Sequence, residues 1–133
     1  MPRTRALAVI TLLTVAMLGG CSSSGSSASG GNANCTKVNS SFTIVGKDIS
    51  WQDTSGKKVT CLQAKSGETV TFTVDNRDTV QHSLHIQGNG FNQKTKLQTG
   101  PVKQTLKIKV PKAGSYTFVC DIHANMEGSF EVK

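Results

Sequence analysis

The sequence predicts an all-β fold, a small sandwich or barrel of seven or eight short strands. Three observations carry that expectation. Apolar residues alternate with polar ones in several short runs, which is the pattern of half-buried strands. Turn residues, mostly Gly and Asn, separate these runs. No helical spacing of apolar residues follows the N-terminal segment. Length and composition agree: 133 residues leave room for one domain with a short appendage. With 36% apolar and 17% charged residues, there is too little apolar sequence for a membrane bundle and too little charge for a coiled coil.

Taken in order, the chain starts with residues 1–20, which read as a secretory signal peptide. Arg3 and Arg5 precede an uncharged apolar stretch from Ala6 to Leu18, shorter than a membrane-spanning helix requires. Leu18-Gly19-Gly20-Cys21 closes the segment and resembles the bacterial lipobox, in which small residues let a peptidase cut just before a lipid-bearing cysteine. Two or more acyl chains on Cys21 would anchor the protein stably, since each buried methylene contributes about 0.8 kcal/mol. Residues 21–34 form a Ser/Gly-rich linker that carries no charge, a flexible tether with a root-mean-square reach of roughly 20 Å.

Residues 35–133 form the domain. Phe42 and Ile44 start an early strand, and Val59 to Ala64 make another. After the turn Ser66-Gly67, Val70, Phe72 and Val74 alternate with Thr69, Thr71 and Thr73. Leu106, Ile108 and Val110 alternate with Thr105, Lys107 and Lys109 and stop at Pro111, which lacks the N–H that a ladder needs. Tyr116, Phe118 and Cys120 share one face after Gly114, and Phe130 and Val132 share another after Gly128. Such a core is small, and a covalent staple or a metal would help to hold it.

The net charge of +7 comes largely from outward strand positions such as Lys107 and Lys109 and from the segment Lys94 to Lys103. One reading is a solvated basic face; the other is a docking surface for a partner with an acidic patch or for an anionic envelope. Nucleic acid is not expected as a partner, because the domain is exported and no aromatic residues interleave with the lysines. Neither HExxH nor GxSxG occurs, and Gly88-Asn89-Gly90 has no following helix, so no protease, hydrolase or nucleotide site is indicated.

The four cysteines need three explanations. Cys21 belongs to the lipid signal. Cys35, at the start of the first strand, and Cys61, inside a later one, can bridge in an oxidising compartment, and closing that loop would stabilise the fold by roughly 3–4 kcal/mol on the chain-entropy model. Cys120 is left alone. It opens the run Cys120-Asp121-Ile122-His123-Ala124-Asn125-Met126, where one strand end and one tight loop can aim a thiolate, an imidazole and a thioether at one point. Sulfur and imidazole suit copper in both oxidation states. A trigonal site still lacks a histidine, and the candidates are His82 and His85. Strand parity puts His82 on the same side as Leu84 and Ile86, which must face the core. His82 is therefore expected to be the ligand and His85 to face solvent.

With these residues in place the sequence resembles the cupredoxins, the small blue copper proteins, and most closely the amicyanin and plastocyanin group. The matching stretches are Thr73 to Asp78 with His82 to His85, and Gly114 to Gly128. The resemblance implies an eight-stranded Greek-key β-sandwich with the site at one end. It implies Cys120, His123 and His82 as strong equatorial ligands and Met126 as the weak axial one. It also places Ser83 where relatives commonly carry an Asn that ties the two ligand loops together. Backbone N–H groups near the Cys120 sulfur are expected to tune its potential.

The function expected is one-electron transfer through a mononuclear type 1 copper site, in a membrane-anchored extracytoplasmic carrier that is not an enzyme. Its partners would be a redox protein and, through the lipid anchor, the bacterial cell membrane, with no small-molecule substrate. The alternative is a lipoprotein that delivers or buffers copper for a metalloenzyme. A metal-free adhesion sandwich is the third reading.

Overall fold

Alternating runs become paired strands wherever their apolar faces can be covered, and the computed structural model, which describes residues 34–133, follows that rule. The signal peptide, the lipobox with Cys21 and the tether up to residue 33 lie outside the described residues. No helix occurs among the described residues. There are twelve strand segments: β1 (Thr36–Lys37), β2 (Ser41–Lys47), β3 (Ser50–Gln52), β4 (Cys61–Ala64), β5 (Thr69–Asn76), β6 (Gln81–His82), β7 (His85–Gly88), β8 (Phe91–Lys94), β9 (Gln98–Thr99), β10 (Val102–Lys109), β11 (Gly114–Cys120) and β12 (His123–Val132).

Two mixed sheets result. One runs β1-β4-β12-β11-β7-β8, the other β10-β5-β2-β3, and β6 pairs with β9 as a separate ribbon. Phe72 of β5 meets Phe130 of β12 edge to face, with ring centroids 6.3 Å apart, so the sheets close on one another over the core. Val70, Phe72, Val74, Leu106, Ile108, Tyr116, Phe118, Phe130 and Val132 are all buried, as the alternation predicts. The exposed Lys103, Lys107 and Lys109 lie along β10, an edge strand, where charge blocks unwanted pairing with another sheet.

Twelve segments exceed the seven or eight predicted, partly because polar side chains interrupt the ladders. The run through His82 shows how. The Leu84 N–H donates to Thr95 Oγ1 at 2.9 Å, and the Leu84 carbonyl accepts from the Thr95 N–H at 3.0 Å. The chain thus leaves the β6 ribbon at Ser83 and re-enters pairing only at β7. Cys35 and Cys61 are bridged, with their Cα atoms 4.6 Å apart, which fastens the segment before β1 to β4.

Candidate metal centre

The β11–β12 hairpin supplies two of the predicted ligands because its register shifts. Val119 lies opposite Glu127, yet the next residue, Cys120, lies opposite His123. Only Asp121 and Ile122 join these two, so thiol and imidazole face each other at the hairpin tip, and Ala124 to Met126 form the bulge behind it. Such bulges re-aim side chains at functional sites. Met126 is fully buried, and its carbonyl accepts the Trp51 indole N–H at 3.0 Å.

The third donor sits at the end of β6, delivered by the loop that follows β5. The buried Asn76 organises this loop: its amide donates to the carbonyls of Val80 (2.9 Å) and Gln98 (3.1 Å), and its oxygen accepts the Asp78 N–H at 3.0 Å. The chain folds back and delivers His82, fully enclosed at 0% exposure, to the hairpin. The Trp51 ring packs against its imidazole with centroids 6.1 Å apart.

Three donor atoms converge. His82 Nδ1 lies 3.8 Å from Cys120 Sγ, His123 Nδ1 lies 3.5 Å from it, and the two nitrogens are 3.1 Å apart. The circle through three points with these separations has a radius of about 2.0 Å, which is the length of a metal–imidazole bond and slightly short of a metal–thiolate bond. The donors therefore already stand close to where a single trigonal ion needs them. A thiolate with two imidazoles is also the donor set that copper prefers, so the residues present fit one copper ion. Among the described residues the hydrogen-bond-range partners of the sulfur are the two imidazole nitrogens; the expected backbone N–H donors are not among them.

The other nitrogen of His82, Nε2, lies 2.7 Å from Asp78 Oδ2. A carboxylate there accepts a hydrogen bond from the Nε2–H, which keeps the ring proton on Nε2 and leaves Nδ1 with its lone pair turned towards Cys120. Burial pushes the Asp78 carboxyl up, but the bond to His82 and the N–H groups of Ile49 and Asp48 overcome it and hold the group below the usual carboxylate range. Ser83, which departs from the Asn common in relatives, still makes a tie: its hydroxyl oxygen accepts the Asp121 N–H at 3.2 Å and so joins the His82 segment to the hairpin tip.

One sequence expectation needs correction. His85 does not face solvent; it is 9% exposed. It turns away from His82, as parity requires, but Nδ1 meets Asp121 Oδ1 at 2.6 Å and Nε2 meets Asn92 Oδ1 at 2.9 Å. The covering groups come from β8 and the hairpin tip, which local periodicity cannot reveal. Asp78, Trp51 and Gly46 also escaped the sequence reading as parts of the site. For Gly46 there was a signal, because glycine inside a strand often marks a close approach. A Cβ there would lie 2.9 Å from the His82 ring.

A model of the cupredoxin-like domain family matches residues 11–132 of the chain. The chain belongs to the cupredoxin family. Its solved structural neighbours agree on the fold. Auracyanin A, a blue copper protein from Chloroflexus aurantiacus, superposes with a TM-score of 0.58 at 19% identity, covering 74% of this cupredoxin and 100% of auracyanin. Rusticyanin from Thiobacillus ferrooxidans gives a TM-score of 0.56 at 24% identity over 71% of this chain and 79% of its own. A Cu(I) form of an amicyanin point mutant gives 0.51 at 19% identity over 70% and 82%. No curated protein sequence matches this cupredoxin.

Proposed function

We propose that this cupredoxin carries single electrons through one copper ion held by His82, Cys120 and His123, with Met126 as a weak fourth ligand. The observation that carries the proposal is the convergence of one thiol sulfur and two Nδ1 atoms, all within 4.8 Å of one another, at a spacing that one ion fills. Bound copper would supply a Cu(II)/Cu(I) couple. Around it the protein holds the donors still: the Asn76 loop, the hairpin tip and the Ser83 link fix both ligand segments, so little needs to rearrange when charge changes. His123 is only partly buried, which gives a short way out for the electron.

The exposed large hydrophobics support a docking role for the same surface. Ile122 precedes His123, Val80 lies two residues before His82, Leu97 neighbours the residue that pairs with His82, and Ile49 donates its N–H to Asp78. Exposed apolar residues next to the ligand-bearing segments suit a transient redox partner, and Lys94 and Lys96 near Leu97 favour a partner with acidic groups. The Cys35–Cys61 bridge favours an oxidising compartment. Together with the Leu18-Gly19-Gly20-Cys21 motif it supports an extracytoplasmic protein held to a bacterial membrane by lipid on Cys21.

The deciding experiment is the electron self-exchange rate between the Cu(I) and Cu(II) forms, followed by NMR line broadening. A carrier exchanges quickly and keeps its copper when a chelating apo-acceptor is added. Slow exchange with ready loss of Cu(I) to the acceptor would instead establish copper delivery.

A further inference from the structure

His82 has two nitrogens, and a metal ion needs only one. The other rests on a carboxylate that is itself unusually well held. Besides His82, Asp78 accepts the backbone N–H of Asp48 on Oδ1 at 2.8 Å and that of Ile49 on Oδ2 at 3.1 Å. Asp48 and Ile49 form the two-residue tip of the β2–β3 hairpin, where Lys47 pairs with Ser50. Both have positive φ, 54° and 50°. Asp tolerates the left-handed region, but a β-branched residue there is strained. Hydrophobic burial does not explain the choice, since Ile49 is 46% exposed. What the turn achieves is to point two successive N–H groups at one carboxylate. Strain, hairpin tip and ligand imidazole therefore meet at Asp78, whose side chain is only 15% exposed.

We propose that Asp78 is a positioning and potential-setting residue for the metal ligand His82, clamped by the 48–49 turn so that a full negative charge, not a neutral acceptor, takes the Nε2–H. The inference rests on the copper reading above. A carboxylate partner fixes the tautomer that leaves Nδ1 free and makes the imidazole a stronger donor. In a poorly solvated site its charge favours Cu(II) over Cu(I), so it lowers the potential. Reduction adds one electron to the ion, while the Nε2 proton stays on the imidazole, shared with Asp78, in both states.

The test uses the full-length chain, as wild type, Asp78→Asn, Asp78→Ser and Asp78→Glu. Copper-loaded samples are poised at one solution potential and read by visible absorption and EPR. Loss of an outer partner of a metal-bound His typically costs 10–100-fold in metal affinity or activity, and a loss borne by Cu(II) rather than Cu(I) shifts the Cu(I):Cu(II) ratio by the same factor. The Cu(I):Cu(II) ratio is therefore expected to rise at least tenfold in Asp78→Asn, equal to about 59 mV for a one-electron couple. The rise is expected with the thiolate band retained, and Asp78→Glu should restore part of the ratio. The Asn amide would face the Asp48 N–H, and Asp78→Ser, a short neutral acceptor, serves if that variant does not fold. Metal-free protein gives an independent arm: 15N NMR should show wild-type His82 as the single Nε2–H tautomer and the Asn and Ser variants as mixtures. An unchanged ratio in a variant that keeps the band, or Glu no better than Asn, would overturn this inference alone. Absence of the band in the wild type would overturn the copper reading, and the inference with it.

Discussion

His82 and His85 stand three residues apart, both are buried, and both bond to an aspartate, yet only His82 keeps a nitrogen beside the Cys120 thiol. His85 spends both nitrogens, one on Asp121 and one on Asn92. His82 spends one on Asp78 and keeps Nδ1 within reach of Cys120 and His123. Neither burial nor a carboxylate neighbour makes a ligand. The nitrogen left over does, together with two more donors at the right distance. His85 takes the other role available to a buried histidine, and buttresses the hairpin tip through Asp121, which Lys94 also holds at 3.2 Å.

The sharpest way to break this comparison is to remove each histidine in turn. His82→Gln is expected to abolish the intense thiolate-to-copper absorption and the narrow EPR hyperfine splitting, and Cys120→Ser to do the same. His85→Gln should keep both signals. A blue His82→Gln with a colourless His85→Gln would reverse the assignment. In denaturant titrations His85→Ala should instead lose about 0.5–3 kcal/mol, because a buried ring that ties Asn92 and Asp121 to β7 is removed.

Gly46→Ala sharpens the same contrast from the other side. Its Cβ would press on the His82 ring and not on His85, and overpacking of this kind costs about 1–3 kcal/mol. The expected readout is a lower thermal midpoint of the metal-free protein and a wider copper hyperfine splitting; unchanged values for both would show that the ring has room to move.

The smallest effect concerns acid. Burial pushes the Asp121 carboxyl up, but the bond to His85 and then that to Lys94 hold it below the usual range, and Asp78 is lowered as well. A depressed carboxyl contributes stability that is present above its unfolded pKa, about 3.9, and is lost as pH falls through the folded value. The metal-free protein should accordingly lose stability as pH drops below about 4, and Asp121→Asn should flatten that slope. A slope that the substitution leaves unchanged would remove Asp121 from the explanation.

These two histidines also mark how far the sequence could be read. The fold was legible because Val70, Phe72 and Val74 alternate cleanly and turns cut the chain, which is local information. The meeting of Cys120 and His123 was legible because one hairpin carries both at fixed spacing. His82 was legible through parity, since Leu84 and Ile86 fix which side is inward. The environment of His85 was not, because Asn92 and Asp121 reach it from other strands. Asp78 was hidden more deeply: its partners sit on a hairpin tip where Ile49 adopts a backbone that its residue type disfavours, so turn propensity points away from the structure found.

The most direct test of the central claim is titration of the metal-free protein with Cu(II), followed by visible absorption and EPR. One equivalent should produce a strong thiolate-to-copper band with a narrow copper hyperfine splitting, and further copper should add nothing to either. A weak absorption with a wide splitting at one equivalent would show that His82, Cys120 and His123 do not close on the ion together, and would contradict the account.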